Sequence, residues 1–371
     1  MSASTAPLQA ALEETVASGW CPGLVAGVRR RGETEVFATG ALSFGDGAPM
    51  LDGTPFRIAS LSKPIGGALA LSLVADGTLS LDAPVTRWLP ELADPRVLAR
   101  PDAELSFAVP ARRPITVRDL LTFTAGMGID FAPTPYAEAT RDFIWGPNPP
   151  AMGPDEYLAR LGALPLAHQP GERWMYHACA DVLSVLLARA ADRPLGTVLE
   201  ERITGPLGMA STGFPTGTEA LPTVYEPSAA GLVEAASYRE ALAGPPVFPS
   251  LAGGLLSSVP DYLAFLAALA DDSLLPPGLR RQMTSGQLTP GQRAGLAEMS
   301  GEDQSWGFMV AVQTGRGEPW SEPGMWGWAG GSGTSAAVYP DGDIGVVFTQ
   351  RFLAGPADSF DYFWEPFGRV R

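Results

Sequence analysis

Arg57-Ile-Ala-Ser-Leu-Ser-Lys-Pro64 carries the only lysine of this 371-residue chain, Lys63, three residues after Ser60. Arginine fills every other basic position, 24 in all. Arginine stays protonated under ordinary conditions, whereas a lysine that is buried or set beside positive charge can give up its proton. A lone lysine one helical turn from a serine therefore points to work that arginine cannot do: taking a proton from a nucleophile. Apolar residues recur from Ser60 to Asp76 and stop at Gly77, so the spacing predicts one long helix over 60–76. On that helix Ser60 and Lys63 share a face. Ser60 also falls at the helix start, where unpaired N–H groups and the dipole favour developing negative charge. Nucleophile, base and helix terminus are the minimum for acyl transfer.

Upstream, residues 7–18 read as a short amphipathic helix. The runs Leu24–Arg30 and Glu33–Thr39, split by Arg31-Gly32, read as a hairpin. Downstream, helices are expected over 116–122, 154–163, 180–192 and 195–203, with proline-rich connections at 131–136 and 146–154. Residues 213–254, rich in Gly and Pro, read as irregular. Ser258-Val-Pro-Asp261 has a capping-box pattern and opens a helix to about Ala270. Phe308–Val312, Ser335–Tyr339 and Ile344–Gln350 read as strands, the last two joined by Pro340-Asp-Gly-Asp343, and a final helix is expected near 357–370.

Strands at both chain ends with helices between them predict an α+β protein. Its antiparallel sheet, of about five or more strands, is assembled from both ends and flanked by the terminal helices, with a mostly helical second subdomain. The expected division is 1–75 with 215–371 for the α/β sandwich unit and 76–214 for the helical one, with the active site between them.

Composition narrows the function. A formal charge of −15 argues against nucleic acid or anionic membrane as partner. The apolar stretch 66–75 is too short to span a bilayer. The first basic residue is Arg29, so the N-terminus lacks the features of a signal peptide and a cytoplasmic enzyme is expected. Cys21 and Cys179 do not suggest a disulfide framework, and Cys179 reads as a packed thiol. With two histidines, His168 and His177, and no Gly-x-Ser-x-Gly elbow, a Ser-His-Asp hydrolase of that type is disfavoured. No metal site and no cofactor is expected.

The segment around Ser60 resembles the active-site stretch of class C serine β-lactamases, penicillin-binding proteins and the related family VIII carboxylesterases. Further stretches follow in family order: Leu73-Val-Ala-Asp-Gly-Thr-Leu-Ser-Leu-Asp-Ala-Pro-Val85, Ile115-Thr-Val-Arg-Asp-Leu-Leu-Thr-Phe-Thr-Ala-Gly126, Pro170-Gly-Glu-Arg-Trp-Met-Tyr176, Pro206-Leu-Gly-Met209 and Gly253-Gly-Leu-Leu-Ser-Ser258. The resemblance implies a β-lactamase/transpeptidase-like fold, Ser60 as acylated nucleophile, Lys63 as its base, and Tyr176 as a partner in proton transfer. It also places Trp328, Ala329 and Gly330, within Gly327-Trp-Ala-Gly-Gly-Ser-Gly-Thr334, in the third motif. The implied oxyanion hole is the backbone N–H groups of Ser60 and Gly331.

Two departures bear on substrate. The second motif has Ala178 where the lactamase branch has asparagine, and the third has Trp328 where it has lysine. Both changes favour a neutral ester over an anionic amide. His177 is a candidate hydrogen-bonding group for substrate, set against a solvent-facing reading. Trp174, Trp306, Trp320, Trp326 and Trp328 gather around motifs two and three, as core or as an apolar pocket wall. The expected activity is hydrolysis of small-molecule carboxylic esters through an acyl-enzyme on Ser60. The alternatives are a transacylase, a D-amino-acid peptidase or amidase, or a weak β-lactamase using the same site, and then a slowly acylating binding module.

Overall fold

The computed structural model describes residues 4–45, 47–144, 148–236, 238, 244–353 and 359–371. β1 (Gly23–Arg30) and β2 (Glu33–Gly40) pair antiparallel from Gly23 opposite Gly40 to Arg30 opposite Glu33. Between them Arg31 stands at φ +50° and Gly32 at φ +86°. Two successive left-handed residues match the twist of a two-residue hairpin. Five more strands come from the other end of the chain: β3 (Gln304–Trp306), β4 (Ala311–Gln313), β5 (Trp326–Gly330), β6 (Thr334–Val338) and β7 (Ile344–Thr349). The seven form one antiparallel sheet in the order β2-β1-β7-β6-β5-β4-β3, so the first strand of the chain lies beside the last.

Both faces of β1 are covered, and its alternation sorts the layers. Leu24, Ala26 and Val28 join Leu8 and Leu12 of the first helix, Ala6–Ala17, and Phe363, Trp364 and Phe367 of the last, Asp361–Val370. Val25 enters the main core on the other face. There Gly27 lies against helix Val259–Ala270, where a Cβ would come 2.5 Å from Leu263 Cδ1 and 2.6 Å from Val259 Cγ1. Gly27→Ala is therefore expected to overpack this layer at a cost of about 1–3 kcal/mol, read as a lowered denaturation midpoint. An unchanged midpoint would mean that Leu263 turns aside freely.

The α+β architecture and the sheet built from both ends appear as expected, and several boundaries do not. The apolar run 308–312 is not a single strand. Met309 sits at φ +66° and the Gly307 N–H donates to the Val310 carbonyl, so a tight turn occupies its middle. The Met309 N–H also donates to the carbonyl of Leu121, a distant anchor that strand propensity cannot register. β3 has no counterpart among the expected strands, and helices Pro135–Ile144, Pro277–Met283 and Pro290–Ser300 have none among the expected helices. Each of the three starts on a proline, which suits the first helical turn as well as it suits a connection. Thr289 even closes a capping box with Gln292. The helix expected over 195–203 is α-helical over Leu195–Leu199 and then widens over Glu200–Thr204. The final helix starts at Asp361; residues 357 and 358 of the expected span, like 146 and 147 of the connection before Pro154, lie outside the described residues.

Helix Ser62–Ala75 is buried at nearly every position, the fate of a helix that is apolar all round. It packs against helix Ala178–Ala191, whose Val182, Leu183 and Leu186 belong to the same core. Residues 76–214 otherwise supply helices and one small ladder, Arg96–Leu98 with Ala108–Pro110. Among the described residues no helix is long and apolar enough to cross a membrane.

Candidate active site

The helix expected from Ser60 begins two residues later. Ala59–Leu61 forms a 3-10 turn and the α-helix runs from Ser62 to Ala75. Ala59 stands at φ +46°. A left-handed conformation costs a residue with a Cβ roughly 1–2 kcal/mol, so the surroundings must impose it. They do so through three hydrogen bonds to the strand leading in. The Ile58 N–H donates to the Leu255 carbonyl (3.1 Å), the Ser332 hydroxyl to the Arg57 carbonyl (2.7 Å), and the Thr334 hydroxyl to the Ile58 carbonyl (2.9 Å). Sequence periodicity carries no trace of these distant clamps, which is why the helix starts later than its apolar pattern.

The i, i+3 expectation survives the change of helix type. Lys63 is fully buried, and its Nζ donates to Ser60 Oγ at 2.9 Å and to the Ala252 carbonyl at 2.5 Å. The same nitrogen lies over the Tyr176 ring, 4.6 Å from its centre.

Tyr176 comes just before helix Ala178–Ala191, its carbonyl accepting from the Ile129 N–H at 2.8 Å. Its ring stacks on Trp174 and touches Phe123 and Trp328. The indole Nε1–H of Trp328, on β5, donates to the Tyr176 hydroxyl at 2.9 Å. Motifs two and three are thus joined by one direct bond. Trp306 packs edge-on against Trp328 with ring centres 4.8 Å apart. Of the five tryptophans grouped in sequence, Trp174, Trp306 and Trp328 gather at Tyr176. Trp326 lies in the main core, and Trp320 stacks on Trp364 under the terminal helices.

Gly330 closes the site from the β5 side. A Cβ there would overlap Thr334 Oγ1 and the Ile58 carbonyl oxygen and press on Ala59, so only glycine lets β5 approach the turn that carries Ser60 this closely. Gly331 follows with more room: a Cβ on it would come no nearer than 3.5 Å to the Phe352 ring. The Gly331 carbonyl accepts from the Leu353 N–H at 2.9 Å. Ala329 is held in the ladder opposite Ser335.

His177 does not face solvent. Its side chain is 13% exposed, its backbone sits at φ +83°, and burial with the nearby charge of Lys63 pushes the imidazole well below its usual range. It is neutral at pH 7. Its Nε2 lies 3.6 Å from Oδ2 of Asp181, a buried carboxylate that sequence reasoning missed. Asp181 Oδ1 accepts from the Ser250 hydroxyl at 2.5 Å, and Oδ2 from the Tyr157 hydroxyl at 3.4 Å. Burial raises this carboxyl to about 6, against the lowering effects of the Ser250 bond, the Lys63 charge and the Tyr157 bond. The available signal was a lone carboxylate inside the apolar run 178–191. Cys179, beside it, is a buried thiol pushed up to about 12, and packs as expected. Among the described residues no group of three or more His, Cys, Asp or Glu is placed to hold a metal ion. A cleft of about 450 Å³ opens beside motif two, bordered by Ile129, His168, Arg173, Trp174 and Tyr176.

A seven-stranded antiparallel sheet with helices on its faces is the β-lactamase/transpeptidase-like architecture. Residues 8–361 match the Beta-lactamase family, and the chain belongs to that family. Protein Rv1367c of Mycobacterium tuberculosis (strain ATCC 25618 / H37Rv) is 35% identical over 363 residues, covering 92% of this chain and 88% of the relative. Esterase EstB of Burkholderia gladioli is 32% identical over 339 residues, covering 83% and 79%. The solved structure of EstCE1, described as a hydrolase with promiscuous acyltransferase activity, shares 24% identity and a TM-score of 0.83, covering 99% of this chain and 97% of that one. The likeness to the esterase side of the family, expected from the motifs, is borne out.

Proposed function

We propose that this protein is a carboxylesterase that cleaves esters of small molecules through an acyl-enzyme on Ser60. The observation that carries the reading is the fully buried Lys63 amine set 2.9 Å from the Ser60 hydroxyl oxygen. That separation serves proton transfer from the serine to an unprotonated amine. Ser60 Oγ attacks the ester carbonyl while its proton passes to Lys63. The backbone N–H groups of Ser60 and Gly331 face the oxyanion, and Tyr176 delivers a proton to the departing alkoxide. Water then attacks the acyl carbonyl, its proton returning by the same route, and free acid leaves Ser60 restored. Trp328, Ala329, Gly330 and His177 border the substrate in this reading. The site lies between a unit of 1–75 with 215–371 and a helical one of 76–214.

The preference for neutral esters rests on what replaces the family's charged and amide groups. Trp328 brings an indole, whose one N–H is directed to Tyr176, and Ala178 brings a methyl. Multiple turnover of p-nitrophenyl butyrate, with an acyl adduct on Ser60 by mass spectrometry and none in Ser60→Ala, is the expected result. A single burst without turnover would replace the esterase with an acyl-binding module. Faster hydrolysis of a chromogenic cephalosporin would make it a lactamase.

Trp328→Phe keeps the aromatic wall and removes the donor to Tyr176. It is expected to lower kcat about fivefold, the scale of one hydrogen bond of about 1 kcal/mol, with KM little changed. A KM rise at constant kcat would reassign Trp328 to ground-state binding.

A further inference from the structure

Lys63 is buried, and among the described residues no carboxylate forms an ion pair with it. Its two hydrogen-bond partners, Ser60 Oγ and the Ala252 carbonyl, are neutral. When Lys63 takes the serine proton, an ammonium forms in a dry site, and a buried charge needs an opposite charge or a dense set of dipoles. The second motif offers no polar side chain at Ala178. One turn further along the same helix, on the same face, stands Asp181.

Asp181 reaches the lysine through a short strap. It accepts from the Ser250 hydroxyl, Ser250 Oγ in turn accepts from the Ala252 N–H (2.9 Å), and the Ala252 carbonyl receives Lys63 Nζ. The Leu251 N–H donates to Ser184 Oγ (2.8 Å), tying the middle of the strap to the same helix as Asp181. Every link is buried. A segment of three residues thus has its main-chain dipole fixed at the lysine by a carboxylate behind it.

We propose that Asp181 is a positioning residue for Lys63: through Ser250 it holds the 250–252 strap that aims the lysine at Ser60, and it supplies the negative charge that balances the ammonium formed on acylation. The role rests on the esterase reading, in which Lys63 is the base. Among the described residues four titratable groups face Asp181: Lys63 from helix Ser62–Ala75, Tyr157 from helix Pro154–Gly162, and His177 and Cys179 from the start of its own helix. His177 is neutral, and the thiol of Cys179 and the phenol of Tyr157 are both pushed up by burial, so Lys63 is the cation that Asp181 answers.

The test is kinetics on p-nitrophenyl butyrate from pH 5 to 10, with the Ser60 adduct followed by mass spectrometry. Asp181→Asn keeps the shape and an acceptor for Ser250 and loses the charge. Its kcat is expected to fall at least about tenfold with KM within about twofold, because the lost support acts on the transition state. Its acidic limb is expected to move to lower pH, because the carboxyl raised to about 6 no longer titrates beside the lysine.

Stability should move the other way. The Asp181 carboxyl is raised in the folded chain, so above about pH 6 the fold carries the cost of a buried anion, which fades between about 6 and the ordinary carboxyl value as the folded form takes a proton. Asp181→Asn removes that cost and at pH 8 should melt no lower than wild type. A variant that melts lower with an unmoved limb would reduce Asp181 to a structural part and overturn the proposal, as would wild-type kcat. Ser250→Ala covers a failure of the first variant to fold: it keeps the charge and cuts the strap, and should lower kcat with the limb in place. Wild-type kcat in Ser250→Ala overturns the strap. A wild-type chain that never acylates Ser60 overturns the esterase reading and this role with it, whereas acylating wild type beside an unimpaired Asp181→Asn overturns the role alone.

Discussion

Lys63→Arg is expected to fold and to lose turnover of p-nitrophenyl butyrate by about 10³-fold, within the range contributed by a positioned general base. The substitution preserves a positive charge and its donors. What it removes is the ability to be unprotonated, because a guanidinium does not give up its proton in this range. The site accentuates the difference. Lys63 Nζ already spans from Ser60 Oγ to the Ala252 carbonyl, and the side chain has no exposed surface, so a longer planar fork has nowhere to extend without shifting one partner. Circular dichroism would confirm the fold, and the acyl adduct on Ser60 would report the chemistry. Turnover near wild type in Lys63→Arg would end the assignment of lysine as base. Because 24 arginines occupy the other basic positions, the chain itself displays which residue it uses when charge alone suffices.

Gly330→Ala is expected to cost about 10²–10³-fold in kcat, the scale of a lost oxyanion-hole donor. The methyl group would collide with the Ile58 carbonyl oxygen and Thr334 Oγ1, so β5 and the turn that carries Ser60 must separate. Ser60 and Gly331 lie on the two sides of that gap. Separating them pulls apart the two N–H groups proposed to hold the oxyanion, while the wall made by Trp174 and Trp306 stays in place. KM should therefore change little, and a trifluoromethyl ketone, which mimics the tetrahedral intermediate, should bind correspondingly more weakly. Activity within twofold of wild type would show that Gly331 does not serve as a donor.

Local features were legible from sequence where local chemistry decides the structure. Arg31-Gly32 announced the β1–β2 hairpin because only a few residue pairs accept two left-handed conformations in succession. Ser60 and Lys63 announced their contact because three residues are one turn of either helix type. Trp328 was expected at the site from its motif, but its bond to Tyr176 joins residues 152 positions apart and has no local signature. Asp181 shows the same limit more sharply. Its main partner, Ser250, lies 69 positions away in a stretch that composition marks only as irregular. Met309 turned an apolar run into a hairpin bend by way of Leu121, again at long range. What was missed is what the tertiary fold imposes on segments whose own preferences point elsewhere.

The clamps on Ala59 also place the site in time. Ser332 and Thr334 hold the carbonyls before Ser60 across separations of 275 and 276 residues, and β1 pairs with β7, the last strand of the chain, as well as with its neighbour in sequence. Closing loops of that length is slow, and such contacts form after local ones. During synthesis Ser60 is made early, yet the left-handed turn before it lacks two of its three clamps until β5 and β6 have emerged. An incomplete chain can carry Ser60, Lys63 and Tyr176, the three residues proposed for proton transfer, before those two clamps exist. The serine proposed as nucleophile thus lacks its full set of clamps until nearly the whole polypeptide is in place.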